Sequence, residues 1–230
     1  MTPPELCQLV GAWDGRNLPD GAVIETKHDG FRALYIRDWE GRPGLWTRGG
    51  IPIEGVGHIL HELAAFERIA GEPLMIDGEF CVGDGPDTLA TTKAWCEREW
   101  KFGGEAGTFY AFDCLSFEDW MRGGSSQPWW QRKQRLQALA LAVETDAEHM
   151  WTWRPGSRGR DEGRQAVRVL PHREVWHVDE AIEMAGEMWA AGLEGCVVKD
   201  AFAPYVRARS NSWLKVGRPW RDRLGWRAAA

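Results

Sequence analysis

The segment Glu25-Thr26-Lys27-His28-Asp29-Gly30-Phe31-Arg32 gathers an amine, two carboxylates and a guanidinium at the end of a β-prone run. A lysine in such company becomes a nucleophile when neighbouring groups keep part of it as the free amine. The bland alternative is a hairpin turn with an incidental lysine, because Asp-Gly is a common turn dipeptide. Taken alone, the string allows both.

Later strings change the balance. Arg48-Gly49-Gly50, Ile76-Asp77-Gly78-Glu79-Phe80, Phe109-Tyr110-Ala111-Phe112-Asp113, Glu194-Gly195-Cys196-Val197-Val198-Lys199-Asp200 and Trp213-Leu214-Lys215-Val216 follow in that order. With the first string they resemble motifs I, Ia, III, IIIa, IV and V of the covalent nucleotidyltransferases, the superfamily of ATP-dependent DNA ligases, RNA ligases and mRNA capping enzymes. The resemblance covers about Val23 to Arg218. The Pro204-Tyr205 and Arg209-Ser210 approach to Trp213 looks most like the DNA ligases.

The resemblance implies a fold, a reaction and roles. Lys27 matches the lysine that attacks the α-phosphate of ATP to give a lysyl-AMP phosphoramidate. Lys199 and Lys215 match the groups that neutralise that phosphate as charge develops on it, and Asp29 belongs to the same catalytic string. Glu25 matches a reader of the adenine amino group, Arg32 and Glu79 contact the ribose or nucleotide, and Phe112 stacks on the base. Glu194, with Glu79, matches the carboxylates that hold a divalent metal, expected to be Mg²⁺. Arg48, Asp77, Arg209 and Arg218 match positions that engage nicked double-stranded DNA. The implied function is that of a DNA ligase core using ATP and Mg²⁺. An RNA ligase or capping-type transferase, or a noncatalytic module that binds nucleic-acid ends, are the alternatives.

Two departures from the family pattern stand out. Gly217 occupies the place of a second motif V lysine, with Arg218 beside it, and an arginine fork does not replace a lysine point charge. Fifteen residues follow Lys215, too few for the OB-fold domain that usually comes next. The expectation is a single nucleotidyltransferase domain over 1–230 without that domain, a monomer, and slow self-adenylation.

Those side chains must be carried by regular elements. Strands are predicted over Ala22–Thr26, Arg32–Arg37, Gly44–Thr47, Leu74–Val82, Thr108–Asp113, Arg168–Trp176 and Gly195–Lys199. Helical periodicity marks Gly57–Ile69, Ala90–Trp100, Pro128–Ala142 and Val178–Ala191, the last starting near Asp179 and stopping at Gly192. Without strict βαβ alternation, this predicts an α+β fold. The resemblance refines it to two antiparallel β-sheets flanked by helices, an ATP-grasp-like nucleotidyltransferase domain with ATP between the sheets. Gly103-Gly104, Gly123-Gly124-Ser125-Ser126 and Pro155-Gly156-Ser157 read as short loops.

Composition sets the outer limits. With 43% hydrophobic and 27% charged residues, the 230-residue chain has the balance of a globular protein, not a disordered one. It has no apolar run of the ~20 residues a membrane span needs, and no leader pattern at its start, so a cytoplasmic protein is expected. Five dispersed cysteines without a CxxC pair read as buried thiols, and the fifteen tryptophans read mostly as core. The net charge of −6 hides a basic C-terminal third, where seven Lys/Arg from Arg207 to Arg227 face only Asp222. That stretch reads either as solvated surface or as a strip that tracks phosphates. His58 and His61 read as an exposed helical pair, not a zinc site. Gly83-Asp84-Gly85 reads as a turn, and Ser125-Ser126 belongs to no acyl-transfer set.

Overall fold

The computed structural model of the chain describes residues 5–83, 88–102, 104–145 and 165–217. Two five-stranded sheets form its framework. The first sheet runs in the order β1 (Leu9–Ala12), β12 (Arg209–Val216), β10 (Gly195–Asp200), β2 (Ala22–Lys27), β9 (His172–Glu174). The second runs β4 (Pro43–Thr47), β3 (Phe31–Arg37), β5 (Leu74–Cys81), β6 (Thr108–Ser116), β8 (Val167–Val169). A two-stranded ribbon pairs β7 (Gly124–Ser125) with β11 (Tyr205–Val206). Pairing is antiparallel throughout except at two edges, where β1 joins β12 and β6 joins β8 in parallel.

Helices cover the outer faces. α1 (Gly57–Ala70) and α4 (Trp129–Glu144) pack on the second sheet, where Ile59, Leu63, Phe66, Leu136 and Leu139 share a core with Tyr35, Ile76 and Phe109. α5 (Val178–Ala190) lays Ala181, Met184, Ala185 and Trp189 on the first sheet against Ile24, Cys196 and Val198. Its start is fixed by Glu180, whose carboxylate accepts from the backbone N–H groups of Trp176 and His177 in a capping box at His177. α2 (Leu89–Glu97) continues as a 3-10 turn at Glu99–Phe102, and α3 (Phe117–Met121) is capped by the Ser116 hydroxyl, which accepts from Asp119 N at 3.1 Å. No helix among the described residues is long and apolar enough to cross a membrane.

Two expectations change in a way that matters for the site. The Lys27–Phe31 link is not a hairpin, because β2 and β3 lie in different sheets. The expected strand over Arg168–Trp176 is two strands, β8 in the second sheet and β9 in the first. Pro171, which has no N–H to offer a ladder, sits between them. The chain therefore crosses between the sheets at Asp29 and again at Pro171, and both crossings border the same gap.

Buried ion pairs tie this frame together. Arg132 of α4 and Asp113 of β6 are both fully buried, and the guanidinium grips the carboxylate through Nε at 2.8 Å and Nη2 at 2.9 Å. All five cysteines are free thiols, with Cys96 half-buried and the others buried. Trp13, Trp95, Trp120, Trp129, Trp189 and Trp213 are core, whereas Trp39 is 88% exposed. Removing one member of the Asp113–Arg132 pair strands a buried charge, so Asp113→Ala is expected to lower unfolding stability by about 3–5 kcal/mol in urea titration. Neutral surface substitutions such as Trp39→Ser stay within about 0.5 kcal/mol.

Candidate active site

Strand alternation puts the chemistry on one face. In the first sheet, Ala22, Ile24, Cys196, Val198, Leu214 and Val216 point toward α5. The residues between them, Glu25, Lys27, Val197, Lys199, Trp213 and Lys215, line a cleft of about 610 Å³ between the sheets. Register brings them side by side: Glu25 pairs with Val197, Lys27 with Gly195, Lys199 with Trp213 and Val197 with Lys215. From the second sheet come Arg32, Thr47, Arg48, Glu79 and Phe112, and from the second crossing Leu170.

Phe112 reaches the cleft through a β-bulge. Asp77 pairs with Asp113 and Gly78 with Ala111, which leaves Phe112 as the extra residue of β6. Gly78 makes room for the strand beside the bulge, since a Cβ there would lie 2.5 Å from the Phe109 ring and 2.7 Å from the Tyr110 carbonyl oxygen. Gly30 is required in the same way at the first crossing, where a Cβ would lie 2.4 Å from the Phe80 carbonyl oxygen.

Lys27 ends β2 with its ammonium group bonded to Glu194, the residue just before β10. Beside it, Glu79 accepts from Gly30 N at 3.2 Å. Burial pushes the Glu79 carboxyl up to about 7, against the pull of Arg32 and Lys27. His28 stacks on Tyr110 with ring centroids 3.9 Å apart. Burial first, and then the neighbouring Lys27, hold the imidazole down at about 4, so it is neutral at physiological pH.

Arg32 joins the two walls. Its Nε and Nη2 hold Asp77 at 2.5 and 2.6 Å, and its guanidinium lies 4.6 Å from the Phe112 ring and 5.5 Å from Trp213. Asp77 also accepts from the Tyr205 hydroxyl at 2.6 Å and has no solvent exposure. This corrects the expectation that Asp77 binds DNA: a carboxylate sealed under Arg32 and Tyr205 positions Arg32 instead.

Glu25 stands at the deep end of the cleft, buried, accepting from the Lys133 ammonium and ion-paired with that of Lys199. Lys199 also lies 4.1 Å from the Trp213 ring and 4.6 Å from Phe112. Burial lowers its pKa, with Glu25 acting in the opposite direction. Lys133 and the Asp113 partner Arg132 are the functional neighbours that motif reading missed. A signal for them exists in α4, where Trp129, Arg132, Lys133, Leu136, Leu139 and Val143 follow helical spacing on one buried stripe. Basic residues on such a stripe need buried acids.

The remaining expected site residues divide. Lys215 and Arg48 are both exposed, and both line the cleft. Arg209 is exposed at the start of β12 and donates to the Val10 carbonyl at 2.7 Å, beside the cleft rather than among its lining residues. Asp29 does not line the cleft either; its carbonyl accepts from the Thr88 hydroxyl at 2.9 Å, which anchors the crossing. Arg218 lies outside the described residues, as do most of Gly83-Asp84-Gly85 and the Pro155-Gly156-Ser157 loop. In the basic C-terminal stretch, Arg207 is occupied structurally, donating to the Glu5 and Trp120 carbonyls over the Trp120 ring. His58 is buried, not exposed, with Nε2 2.9 Å from the Gly107 carbonyl. Among the described residues no cluster of three or more His, Cys, Asp or Glu side chains is arranged to hold a metal by itself.

The Glu79 environment predicts a pH dependence of stability. The folded chain keeps the Glu79 proton up to about pH 7, whereas the unfolded chain releases it near the ordinary value of 4.5. Between those values the folded state binds more protons, so this group makes stability fall as pH rises from 4.5 to 7. Glu79→Gln removes that contribution. Urea unfolding at pH 5 and pH 8 is expected to show a smaller loss across the interval in the variant than in the wild type.

Comparison with known structures places this geometry. The fold is similar to a solved protein called Pmar-Lig_PreS3, at 20% identity and TM-score 0.70, with 94% of this chain and 47% of that one covered. It is similar to the ATP-dependent DNA ligase of bacteriophage T7 in complex with ATP, at 15% identity and TM-score 0.65, covering 92% of this chain and 68% of that one. It is also similar to a mycobacterial DNA ligase D complexed with ATP and MES, at 19% identity and TM-score 0.59, covering 93% and 60%. The chain thus spans about half the length of the first of these. No curated protein matches it. A family model described as ATP dependent DNA ligase domain matches residues 10–216, and the chain belongs to that family.

Proposed function

We propose that the chain is the nucleotidyltransfer core of an ATP-dependent DNA ligase, with Lys27 as its nucleophile. The observation that carries this reading is the position of Lys27: its amine stands in the inter-sheet cleft, held by Glu194, on the same sheet face as Lys199 and Lys215. ATP enters with its base toward Phe112, Trp213 and Leu170 and its phosphates toward Lys27, Lys199 and Lys215.

Lys27 first gives one ammonium proton to solvent, and the nitrogen of the resulting free amine attacks the α-phosphorus. A P–N bond forms, the bond to the bridging oxygen of pyrophosphate breaks, and the amine proton passes to Glu194. Lys215 offsets charge on the α-phosphate, and Arg48 lies on the wall nearest the cleft mouth, where the 5′-phosphate of a nick is drawn in. AMP then moves from Lys27 to that phosphate, and a 3′-hydroxyl displaces it to seal the strand. Phosphoryl transfer of this kind depends on positioning and charge neutralisation more than on covalent assistance.

Glu194 and Glu79 suit Mg²⁺, which takes one or two carboxylates and completes its shell with water and phosphate oxygens. Glu79 is the weaker candidate of the two near neutrality, because its raised pKa leaves part of it protonated. When bound, the ion supplies charge to the triphosphate and the departing pyrophosphate.

Incubation with α-labelled ATP and Mg²⁺ followed by a chase with nicked DNA tests the reading. Label is expected on the wild type, absent from Lys27→Ala, reduced about 100-fold in rate for Lys215→Ala, and transferred to DNA in the chase. Equal labelling of wild type and Lys27→Ala contradicts it, and transfer to nicked RNA but not DNA assigns another polynucleotide.

A further inference from the structure

We propose that Lys133 is a positioning residue that sets the base selectivity of the cleft, by holding one carboxylate oxygen of Glu25 so that the other is offered purely as an acceptor. The proposal rests on the reading of the cleft as a nucleotide site and names the residue behind its selectivity. Both Glu25 oxygens are engaged, Oε1 by Lys133 and Oε2 by Lys199. The two lysines differ in what they can reach. Lys199 lines the cleft and sits among the rings that would flank a base. Lys133 comes from α4, is 1% exposed, and does not line the cleft.

An incoming triphosphate therefore draws off Lys199 and leaves Lys133 in place. Oε2 then faces the base end of the cleft while Oε1 stays bonded. An ionised carboxylate only accepts hydrogen bonds. It suits the amino group of adenine and repels the carbonyl oxygen that guanine carries at the same position. The other charged and titratable neighbours do not replace Lys133. His172, opposite Glu25 in the β2–β9 register, has its pKa lowered by burial first and then by Lys133, and Asp113 is taken by Arg132. Without Lys133, once Lys199 has turned to the phosphates, Glu25 is a buried carboxylate with no cation, and such a group takes up a proton. Its O–H then donates to a guanine oxygen, and discrimination is lost.

The test is equilibrium binding of ATP and GTP by calorimetry in a Lys27→Ala background, which removes the covalent step, with and without Lys133→Met. The proposal expects ATP to be preferred in the parent and the ratio of the two Kd values to fall about tenfold in Lys133→Met, with GTP affinity rising. A merely structural role lowers both affinities together and leaves the ratio unmoved, which overturns the proposal. Lys133→Gln keeps a neutral N–H against Oε1 and carries the same measurement if Lys133→Met does not fold; a parent ratio in that folded variant also overturns it. Self-labelling of the wild type separates the two levels. A chain that labels from ATP but shows no Lys133 effect contradicts this proposal alone, and a chain that neither binds nor labels from any nucleotide contradicts the nucleotide reading as well.

Discussion

The Arg32 guanidinium is the joint on which the site depends. It sits five residues after Lys27, on the far side of the crossing that carries the chain from one sheet to the other. Bonded to Asp77 of the second sheet and lying over Trp213 of the first, it fixes the spacing of the two walls. Asp77 is locked in turn by Tyr205, whose hydroxyl also accepts from Gln8 N at 3.1 Å. A cleft that is to admit a charged ligand cannot be closed by apolar packing alone, so buried ion pairs do part of that work at its floor. Such pairs cost desolvation, which close opposite charges and added hydrogen bonds offset. Here each carboxylate at the floor has a cation: Asp77 has Arg32, Asp113 has Arg132, and Glu25 has Lys133 and Lys199.

This arrangement accounts for the glycines and the bulge that surround the joint. Gly30 lets the crossing pass close to the backbone of β5, and Gly78 leaves space for the Phe109 ring beneath the bulge at Phe112. One extra residue in β6 turns Phe112 toward the cleft while Phe109 and Ala111 stay in the helix-covered core. Substitution at these positions acts on the site through the geometry of its walls, without touching a ligand.

Much of the site was legible because strand alternation is a strict rule. Glu25 and Lys27 stand two apart, as do Val197 and Lys199, and Trp213 and Lys215; once each run is read as a strand, each pair must share a face. The periodicity of α1, α4 and α5 gave their positions to within a few residues. The failures have physical causes as well. The run from Arg168 to Trp176 carries continuous β propensity, and propensity does not report that Pro171 passes it from one sheet to the other. β1 pairs with β12, whose partner residues stand at least 200 positions further along the chain, which no local pattern encodes. The burial of Asp77 and of His58, and the inward turn of Arg132 and Lys133, depend on partners from distant elements. Charged side chains read as surface until the opposite charge is located.

The central claim is that the inter-sheet cleft presents Lys27 as a nucleophile to the α-phosphate of ATP. Its most direct test is mass spectrometry of the intact chain and of its peptides after incubation with ATP and Mg²⁺. The account predicts a single adenylyl group, labile to acid as a phosphoramidate is, on the peptide that contains Lys27. An adenylyl group on any other residue, or ATP bound in the cleft with Lys27 unmodified in the presence of Mg²⁺, would contradict it.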